Sequence, residues 1–220
     1  MGLRSRERVE NQSANKRDYE ESFVGRCHRI LSMGYALLDA ASFAGHEEEE
    51  ITGELTRAMQ GAVEDTSAPR WAKHLWPSEE TRIHELGRLG KRRRRIDIEV
   101  LQHGVTPRRR FRFEAKRLRN AASVREYLGK EGLGRFLEGK YAEGDRIAGM
   151  LGYVQRGSIE GQSRSVGNAL EASPEEYALA SDGKWTKTPI VNDLPTFRSV
   201  HERMRGLRSI TLLHTFLLFC

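Results

Sequence analysis

Two neighbouring segments of the chain alternate apolar and polar residues, as half-buried β-strands do. They cover about residues 94–102, which contain RIDIEV, and about residues 109–117, which contain FRFEAK. A turn centred between Val105 and Thr106 would join them as a hairpin, through a loop wider than two residues because Val-Thr suits a tight turn poorly. The apolar residues would then face each other on one side of the sheet: Ile96 and Ala115, Ile98 and Phe113, Val100 and Phe111. A shift of one residue would break this match, since side chains alternate with period two.

Apolar residues at helical spacing predict two helices before the hairpin. The first covers about residues 18–41, and residues 1–17 before it are expected to be flexible. The second covers about residues 47–65 and carries an apolar stripe: Ile51, Leu55, Ala58, Met59 and Ala62. Its first residues, EEEE, suit a helix N-terminus because the helix dipole favours negative charge there. Residues 66–80, which include two prolines and two tryptophans, are expected to form a packed loop.

Elements of both kinds are predicted after the hairpin. Asn120 or Ser123 would cap a helix that extends to about Leu137, and the glycines within it would interrupt it or end it early. Strands are expected at about residues 146–156 and at the C-terminal segment SITLLHTFLLFC, with a short helix and loops between them. Because the chain has no internal repeat and no clear linker, residues 18–220 are expected to form a single α/β domain.

Charge is spread unevenly along the chain. The net charge is +6, and residues 88–119 hold 13 Lys or Arg but only 3 acidic residues. A basic surface indicates an anionic partner, most often nucleic acid. The two cysteines, Cys27 and Cys220, are far apart and lack a Cys/His cluster, which argues against a disulfide framework or a zinc site. The sequence has no secretory signal and no apolar run of roughly 20 residues, so we expect a soluble, cytoplasmic protein with no membrane partner.

The polar face of the predicted hairpin brings like charges together. Glu99 would face Arg112, which is favourable, but Asp97 would face Glu114, with Cβ atoms roughly 4.5–5.5 Å apart. A divalent cation between the two carboxylates would remove the repulsion, and Mg²⁺ prefers such oxygen ligands. Lys116 follows Glu114 by two residues and lies on the same side. The alternative is a solvated polar face on an ordinary hairpin.

The spacing of Asp97, Glu114 and Lys116, within IDIEV and FEAKRL, resembles the PD-(D/E)XK motif of nucleases with the restriction-endonuclease-like fold. The proline of that motif is absent here, because Ile96 precedes Asp97. The resemblance implies a core of the order α-β-β-β-α-β over about residues 47–156, with a mixed sheet flanked by helices. It also implies hydrolysis of phosphodiester bonds with Mg²⁺, for which Mn²⁺ is an expected substitute.

The resemblance implies roles for the residues of the motif. Asp97, Glu114 and the backbone carbonyl of Ala115 would hold the metal, which would activate water and neutralise charge on the phosphate. Lys116 would orient or deprotonate the attacking water and stabilise the anionic transition state.

Members of this superfamily often add an acid from the helix before the sheet. Glu54 is the candidate, because it lies within the apolar stripe of the second predicted helix and a buried carboxylate needs a partner. Glu50, one turn earlier, is an alternative for the metal site. A further alternative is that Glu54 pairs with Arg57 at the surface.

Nine arginines beside the two strands are expected to contact nucleic acid: Arg92, Arg93, Arg94, Arg95, Arg108, Arg109, Arg110, Arg117 and Arg119. Contacts with backbone phosphates give affinity and salt dependence but no base specificity. The alternative for such a run of charge is a solvated surface.

The function expected from these features is a Mg²⁺-dependent nuclease that acts on DNA rather than RNA, as an endonuclease rather than an exonuclease. A role as effector of a bacterial defence or mobile-element system is one hypothesis, in which the chain would act as a homodimer or with a partner protein. The alternative from another class is a non-catalytic nucleic-acid-binding or interaction subunit that uses a nuclease-like fold.

Overall fold

The computed structural model describes residues 3–82, 95–204 and 206–220. The helices are α1 Leu3–Ala36, α2 Glu48–Glu64, α3 Ala121–Leu128, α4 Leu133–Leu137 and α5 Ile159–Ala172. The strands are β1 Leu75–Arg82, β2 Arg95–Gln102, β3 Arg110–Leu118, β4 Ile147–Val154, β5 Thr186–Lys187, β6 Thr196–His201 and β7 Ile210–Leu218. Short 3-10 helices cover Ala40–Phe43 and Ala72–His74. Within these ranges, no helix is long and apolar enough to cross a membrane.

The seven strands form one mixed sheet in the order β1-β2-β3-β4-β7-β6-β5. Strands β1, β2 and β3 are antiparallel neighbours, whereas β3, β4 and β7 are parallel. Residues of α1 and α2 pack in one buried cluster with the sheet, and residues of α3, α4 and α5 pack in a second. The predicted α/β class, with a mixed sheet flanked by helices, is therefore confirmed.

The first core joins α2 to the hairpin β2–β3. Ile51, Leu55 and Met59 of α2 are fully buried against apolar side chains of the two strands, which include Val100 and Phe113. Full burial of such a side chain contributes about 1.5–3 kcal/mol. The predicted apolar stripe of α2 thus packs against the predicted apolar face of the β2–β3 hairpin.

The predicted hairpin register holds along part of the two strands. The ladder pairs Ile98 with Phe113, Glu99 with Arg112, Val100 with Phe111 and Leu101 with Arg110, as expected. The loop beyond it has a positive φ of 76° at Gly104, a conformation that suits glycine.

The register breaks at Asp97, where the prediction was wrong. A regular ladder would give the N–H of Ala115 to the carbonyl of Ile96. Instead, this N–H donates to Oδ2 of Asp97 at 2.7 Å. Ile96 packs in the second core, away from the cluster that contains Ile98. The apolar face is therefore not continuous to Ile96, because a side-chain oxygen takes over the backbone donor.

The second core lies between the sheet and helices α3, α4 and α5. Asn120 caps α3 as predicted, since its side chain accepts hydrogen bonds from the N–H groups of Ala122 and Ser123. The predicted interruption is also confirmed, because α3 and α4 are separate helices. A Cβ atom at Gly132, between them, would lie 2.2 Å from the carbonyl oxygen of Tyr127, so the chain can turn this closely only with glycine.

Other parts of the chain differ from the predictions. Residues 75–82 form edge strand β1, whose first six residues lie in the segment 66–80 that was expected to be a packed loop. Pro77 lies within this strand, and an edge strand tolerates proline because one side of its backbone needs no partner. Helix α1 begins at Leu3, so it includes part of the segment expected to be flexible, and that flexibility stays a prediction. The helix ends at Ala36 rather than near residue 41.

Candidate functional site

Two carboxylates meet where β2 leaves the ladder. Glu114 is fully buried on β3, and Asp97 of β2 is fixed by the hydrogen bond from the Ala115 N–H. Burial raises the pKa of Glu114 well above its usual range, and the charge of nearby Asp97 raises it further. Burial also raises the pKa of Asp97. The structure thus brings the two predicted carboxylates together, although not as a regular cross-strand pair.

Lys116 lies beside both carboxylates and is held by several oxygens. Its Nζ is 3.2 Å from Oε1 of Glu114, 2.6 Å from Oε1 of Glu48 and 2.6 Å from the carbonyl oxygen of Ala115. Burial alone would lower the pKa of Lys116, but the charges of Glu114, Glu48 and Asp97 raise it above its ordinary value. Lys116 is therefore a charged ammonium in this arrangement, suited to stabilising negative charge rather than to accepting a proton.

Glu48 is the helix acid of this site, and sequence reasoning missed it. It lies in the first turn of α2, and its Oε2 accepts a hydrogen bond from the N–H of Arg117 at 3.1 Å. Burial raises its pKa. A signal was present in the sequence, because Glu48, Thr52 and Leu55 share one helix face at i, i+4 and i+7. The apolar stripe, extended back by one turn, leads to Glu48.

The two predicted helix acids lie elsewhere. Glu54 is 40% exposed and both of its carboxylate oxygens accept hydrogen bonds from Arg57, at 2.7 and 2.9 Å. It precedes Leu55 by one residue, and a step of about 100° around the helix takes it off the buried face. Glu50 accepts a hydrogen bond from the N–H of Glu47 and closes a capping box at the start of α2. The prediction of Glu54 as the helix acid of the site is therefore corrected to Glu48.

Arg135 of α4 also reaches Glu114. Its Nη1 is 3.2 Å from Oε1 of Glu114 and also donates to the hydroxyl of Tyr141, while its Nη2 pairs with Glu131. The Tyr141 hydroxyl in turn donates to the carbonyl of Arg95. Sequence reasoning missed Arg135 and Tyr141, because no spacing rule links a short helix and the loop after it to a carboxylate on a strand.

The loop that carries Tyr141 is held by a buried arginine. The guanidinium of Arg203 donates to the carbonyls of Ala142, Glu143 and Asp145 at 2.8, 3.1 and 3.2 Å. Three carbonyls of one short loop are thus bonded to a single guanidinium, whose donors are fixed in one plane. The position of the Tyr141 hydroxyl beside Arg135 thus depends on this clamp.

We call Asp97, Glu114, Lys116, Glu48 and Arg135 the carboxylate cluster. Both Lys116 and Arg135 contact Oε1 of Glu114, whereas no donor in the described part of the chain reaches its buried Oε2. A buried carboxylate oxygen without a partner is costly, and none of the described residues donates a hydrogen bond to this atom.

The donor chemistry of the cluster fits a hard divalent cation. Asp97, Glu114 and the carbonyl of Ala115 offer oxygen ligands only, which Mg²⁺ and Mn²⁺ prefer. Among the described residues, however, no three His, Cys, Asp or Glu side chains are already arranged around a common metal position. The ammonium of Lys116 instead bridges Glu48 and Glu114.

The predicted phosphate contacts separate into two groups. Arg108, Arg109 and Arg110 lie at the hairpin end of β2 and β3, where Gln102 pairs with Arg109. Asp97 is five residues away along β2, which at roughly 3.3 Å per residue is about 17 Å. Arg110, the nearest of the three, is four residues from Glu114 along β3, or about 13 Å, so these arginines do not contact the carboxylate cluster directly. Arg92, Arg93 and Arg94 lie outside the described residues.

The other predicted arginines flank the cluster. Arg95 begins β2, two residues before Asp97, and both Arg95 and Arg119 are exposed. Arg117 is engaged in an ion pair with Glu47 of the EEEE run. A phosphate contact by Arg117 would therefore have to replace this ion pair, whereas Arg119 lies at the surface just after β3.

The carboxylate cluster combines three acids, a charged lysine and an arginine, which come from α2, β2, β3 and α4. No family model, no curated protein and no solved structure matches this chain. The function of the cluster therefore has to follow from the side chains that it brings together.

Proposed function

We propose that this protein is a metal-dependent nuclease that hydrolyses phosphodiester bonds, in DNA rather than RNA. The observation that carries the proposal is the buried Oε2 of Glu114, which has no donor within the described residues although Asp97 and Lys116 lie beside it. Two adjacent buried carboxylates repel each other unless a cation or a proton compensates them. A pure nucleic-acid-binding surface has no need of such a pair.

The residues of the cluster have separate roles in this proposal. Asp97, Glu114 and the carbonyl of Ala115 hold Mg²⁺ or Mn²⁺, an ion that supplies Lewis acidity and neutralises phosphate charge when bound. Lys116 stays protonated and stabilises the negative charge that develops on the phosphate. Glu48 orients Lys116 through the contact of 2.6 Å. Arg95 and Arg119, both exposed near the cluster, contact the substrate backbone.

The arrangement of the chain supports a restriction-endonuclease-like core. The elements α2, β1, β2, β3, α3 and β4 follow one another in the order α-β-β-β-α-β that the resemblance implies. We propose endonuclease activity within a bacterial defence or mobile-element system, as a homodimer or with a partner protein of that system.

A second candidate function is a nucleic-acid-binding or interaction subunit without catalysis. One observation favours it: the Lys116 ammonium already bridges Glu48 and Glu114, so an internal cation compensates part of the acidic charge. The net charge of +6 suits this candidate as well as it suits the nuclease.

Cleavage of supercoiled plasmid and of single-stranded DNA distinguishes the two candidates. The wild type is compared in Mg²⁺, Mn²⁺ and EDTA with Asp97→Asn and Lys116→Met, and with Glu54→Gln as a matched control from the same region of the chain. For a nuclease we expect metal-dependent nicking that falls at least about a hundredfold in the first two variants and persists in the control. Binding of DNA without cleavage by the wild type would contradict the nuclease and support the binding subunit.

A further inference from the structure

Oε1 of Glu114 is shared between two positive side chains that differ in how firmly they are held. Lys116 has Glu48 and the carbonyl of Ala115 as additional partners inside the cluster, both at 2.6 Å from Nζ. Arg135 approaches from α4 at 3.2 Å, and its side chain is 24% exposed. Lys116 is thus held by three oxygen atoms, whereas Arg135 reaches Glu114 from the more exposed side of the carboxylate cluster.

Arg135 bridges a buried acid and an exposed one. Its Nη1 faces Glu114, which is fully buried, and its Nη2 and Nε bond Glu131, whose side chain is 69% exposed. The guanidinium presents its donors in a rigid planar fork. Arg135 would therefore keep Glu131 and the Tyr141 hydroxyl as partners after losing Glu114, so its contact with Glu114 can be broken without leaving the charge unpaired.

We propose that Arg135 is the internal counter-ion of Glu114, which a divalent cation displaces, and that the Nη1 released in this way then contacts the substrate phosphate. This inference deepens the proposed function and rests on it. A dication on Glu114 and a guanidinium on the same carboxylate repel each other strongly at such distances. Of the two positive side chains, Arg135 gives way because it is more exposed, and because Lys116 is closer to its other oxygen partners, Glu48 and the Ala115 carbonyl, than to Glu114.

Calorimetry with Mn²⁺, in the absence of nucleic acid, tests the competition directly. We expect Arg135→Gln to bind Mn²⁺ about tenfold more tightly than the wild type, because the cation no longer has to displace the Arg135–Glu114 contact. Arg135→Lys keeps the charge and is expected to stay within about threefold of the wild type. Arg125→Gln removes an exposed charge from α3 and serves as the matched control, with no expected change.

A second variant covers the case in which Arg135→Gln fails to fold. Glu131→Gln changes an exposed residue and removes the alternative partner of Arg135, so the guanidinium stays on Glu114 and Mn²⁺ binding weakens, by about threefold. Tighter binding by Glu131→Gln, or unchanged or weaker binding by Arg135→Gln, would overturn the proposal. A wild type that binds no Mn²⁺ would overturn it as well.

Cleavage assays on the same variants separate this inference from the proposed function. If Arg135→Gln binds Mn²⁺ more tightly but cleaves DNA more slowly, both the displacement and the phosphate contact are supported. Arg135→Gln could bind Mn²⁺ more tightly while neither it nor the wild type cleaves DNA. Displacement of Arg135 by the cation would then be supported, whereas the nuclease function and the phosphate contact would be contradicted. If the wild type cleaves but the binding pattern is absent, the nuclease stands and the role of Arg135 fails.

Discussion

Two buried polar clusters lie on one face of the same sheet, and they differ in charge. In the register of the parallel strands, Glu114 pairs with Met150 and Met150 pairs with His214. Glu114 belongs to the carboxylate cluster, and His214 belongs to a histidine cluster formed by Tyr127, Ser199, His201 and His214. Their two central side chains are therefore two strand spacings apart, roughly 10 Å.

The histidine cluster is a neutral chain of hydrogen bonds with one consistent direction. The carbonyl of Tyr177 can only accept, so Nδ1 of His201 donates to it at 2.8 Å and Nε2 of His201 accepts from Ser199 at 2.7 Å. Ser199 then accepts from Nε2 of His214 at 2.7 Å, and Nδ1 of His214 accepts from the Tyr127 hydroxyl at 2.8 Å. Both ring nitrogens of His201 and both of His214 therefore have a partner while the two imidazoles stay neutral.

The comparison teaches that burial of polar side chains does not by itself indicate a functional site. In the histidine cluster the donors match the acceptors, which is the usual state of buried polar groups. In the carboxylate cluster two positive side chains meet on one oxygen of Glu114, while within the described residues no donor reaches the other oxygen. The two clusters therefore differ in hydrogen-bond balance rather than in burial, and this difference is consistent with the proposed metal site at the carboxylate cluster.

The largest expected effect breaks the compensation inside the carboxylate cluster. Lys116→Met leaves Glu48 and Glu114 without their shared cation, and removal of one partner of a buried ion pair costs about 3–5 kcal/mol. We expect this loss in the free energy of unfolding measured in urea. Arg57→Met removes the partner of exposed Glu54 and is expected to cost no more than about 1 kcal/mol. A similar small cost for both variants would show that Lys116 compensates nothing.

The next largest expected effect is a loss of stability as the histidine cluster is exposed to acidic pH. Burial lowers the pKa of His201 from 6.5 to about 4, so the unfolded chain binds a proton at this residue that the folded protein does not. Stability from His201 is therefore fully present above pH 6.5 and is lost as the pH falls towards 4, by roughly 3 kcal/mol in total. We expect the free energy of unfolding to fall less steeply over this range in His201→Gln. Equal slopes for wild type and variant would contradict the burial of a neutral histidine.

The carboxylate cluster is expected to respond to pH with the opposite sign. The pKa of Glu114 is raised in the folded protein, so its contribution to stability is present at low pH and is lost as the pH rises through its folded pKa. In metal-free protein, Glu114→Gln should therefore gain stability relative to the wild type as the pH increases, by at most about 1.4 kcal/mol per pH unit. Unfolding measurements at several pH values in EDTA test this, and a difference that shrinks with pH would contradict it.

The spacing of apolar residues along the chain predicted those helices and strands that bury one face in a core. The register from Ile98–Phe113 to Leu101–Arg110, the stripe of α2 and the cap at Asn120 all follow from local patterns, and all are confirmed. Strand β1 was missed, because a segment that contains Pro77 lacks the alternation on which strand prediction depends.

The geometry of the candidate site followed less directly from the sequence. Asp97, Glu114 and Lys116 lie on neighbouring strands, as predicted, but their contacts also involve side chains from helices α2 and α4. Asp97 takes a backbone donor that the register assigned to Ile96, and Arg135 arrives from a helix after a glycine-rich interruption. Side-chain partners at the ends of elements are set by tertiary packing, which no repeat in the sequence encodes.

The smallest expected effect compares two acids of α2 that lie on different faces of the helix. Glu48 accepts from Lys116 and from the N–H of Arg117 inside the carboxylate cluster, whereas Glu54 is paired with Arg57 at the surface. Glu48→Gln keeps the shape, but its single amide oxygen can accept from Lys116 or from the N–H of Arg117 and not from both, so we expect a loss of about 1–2 kcal/mol in the free energy of unfolding. Glu54→Gln should stay within about 0.5 kcal/mol of the wild type. Equal losses in urea unfolding would contradict a special role for the face that carries Glu48. A larger loss for Glu54→Gln would support Glu54, the residue first predicted as the helix acid.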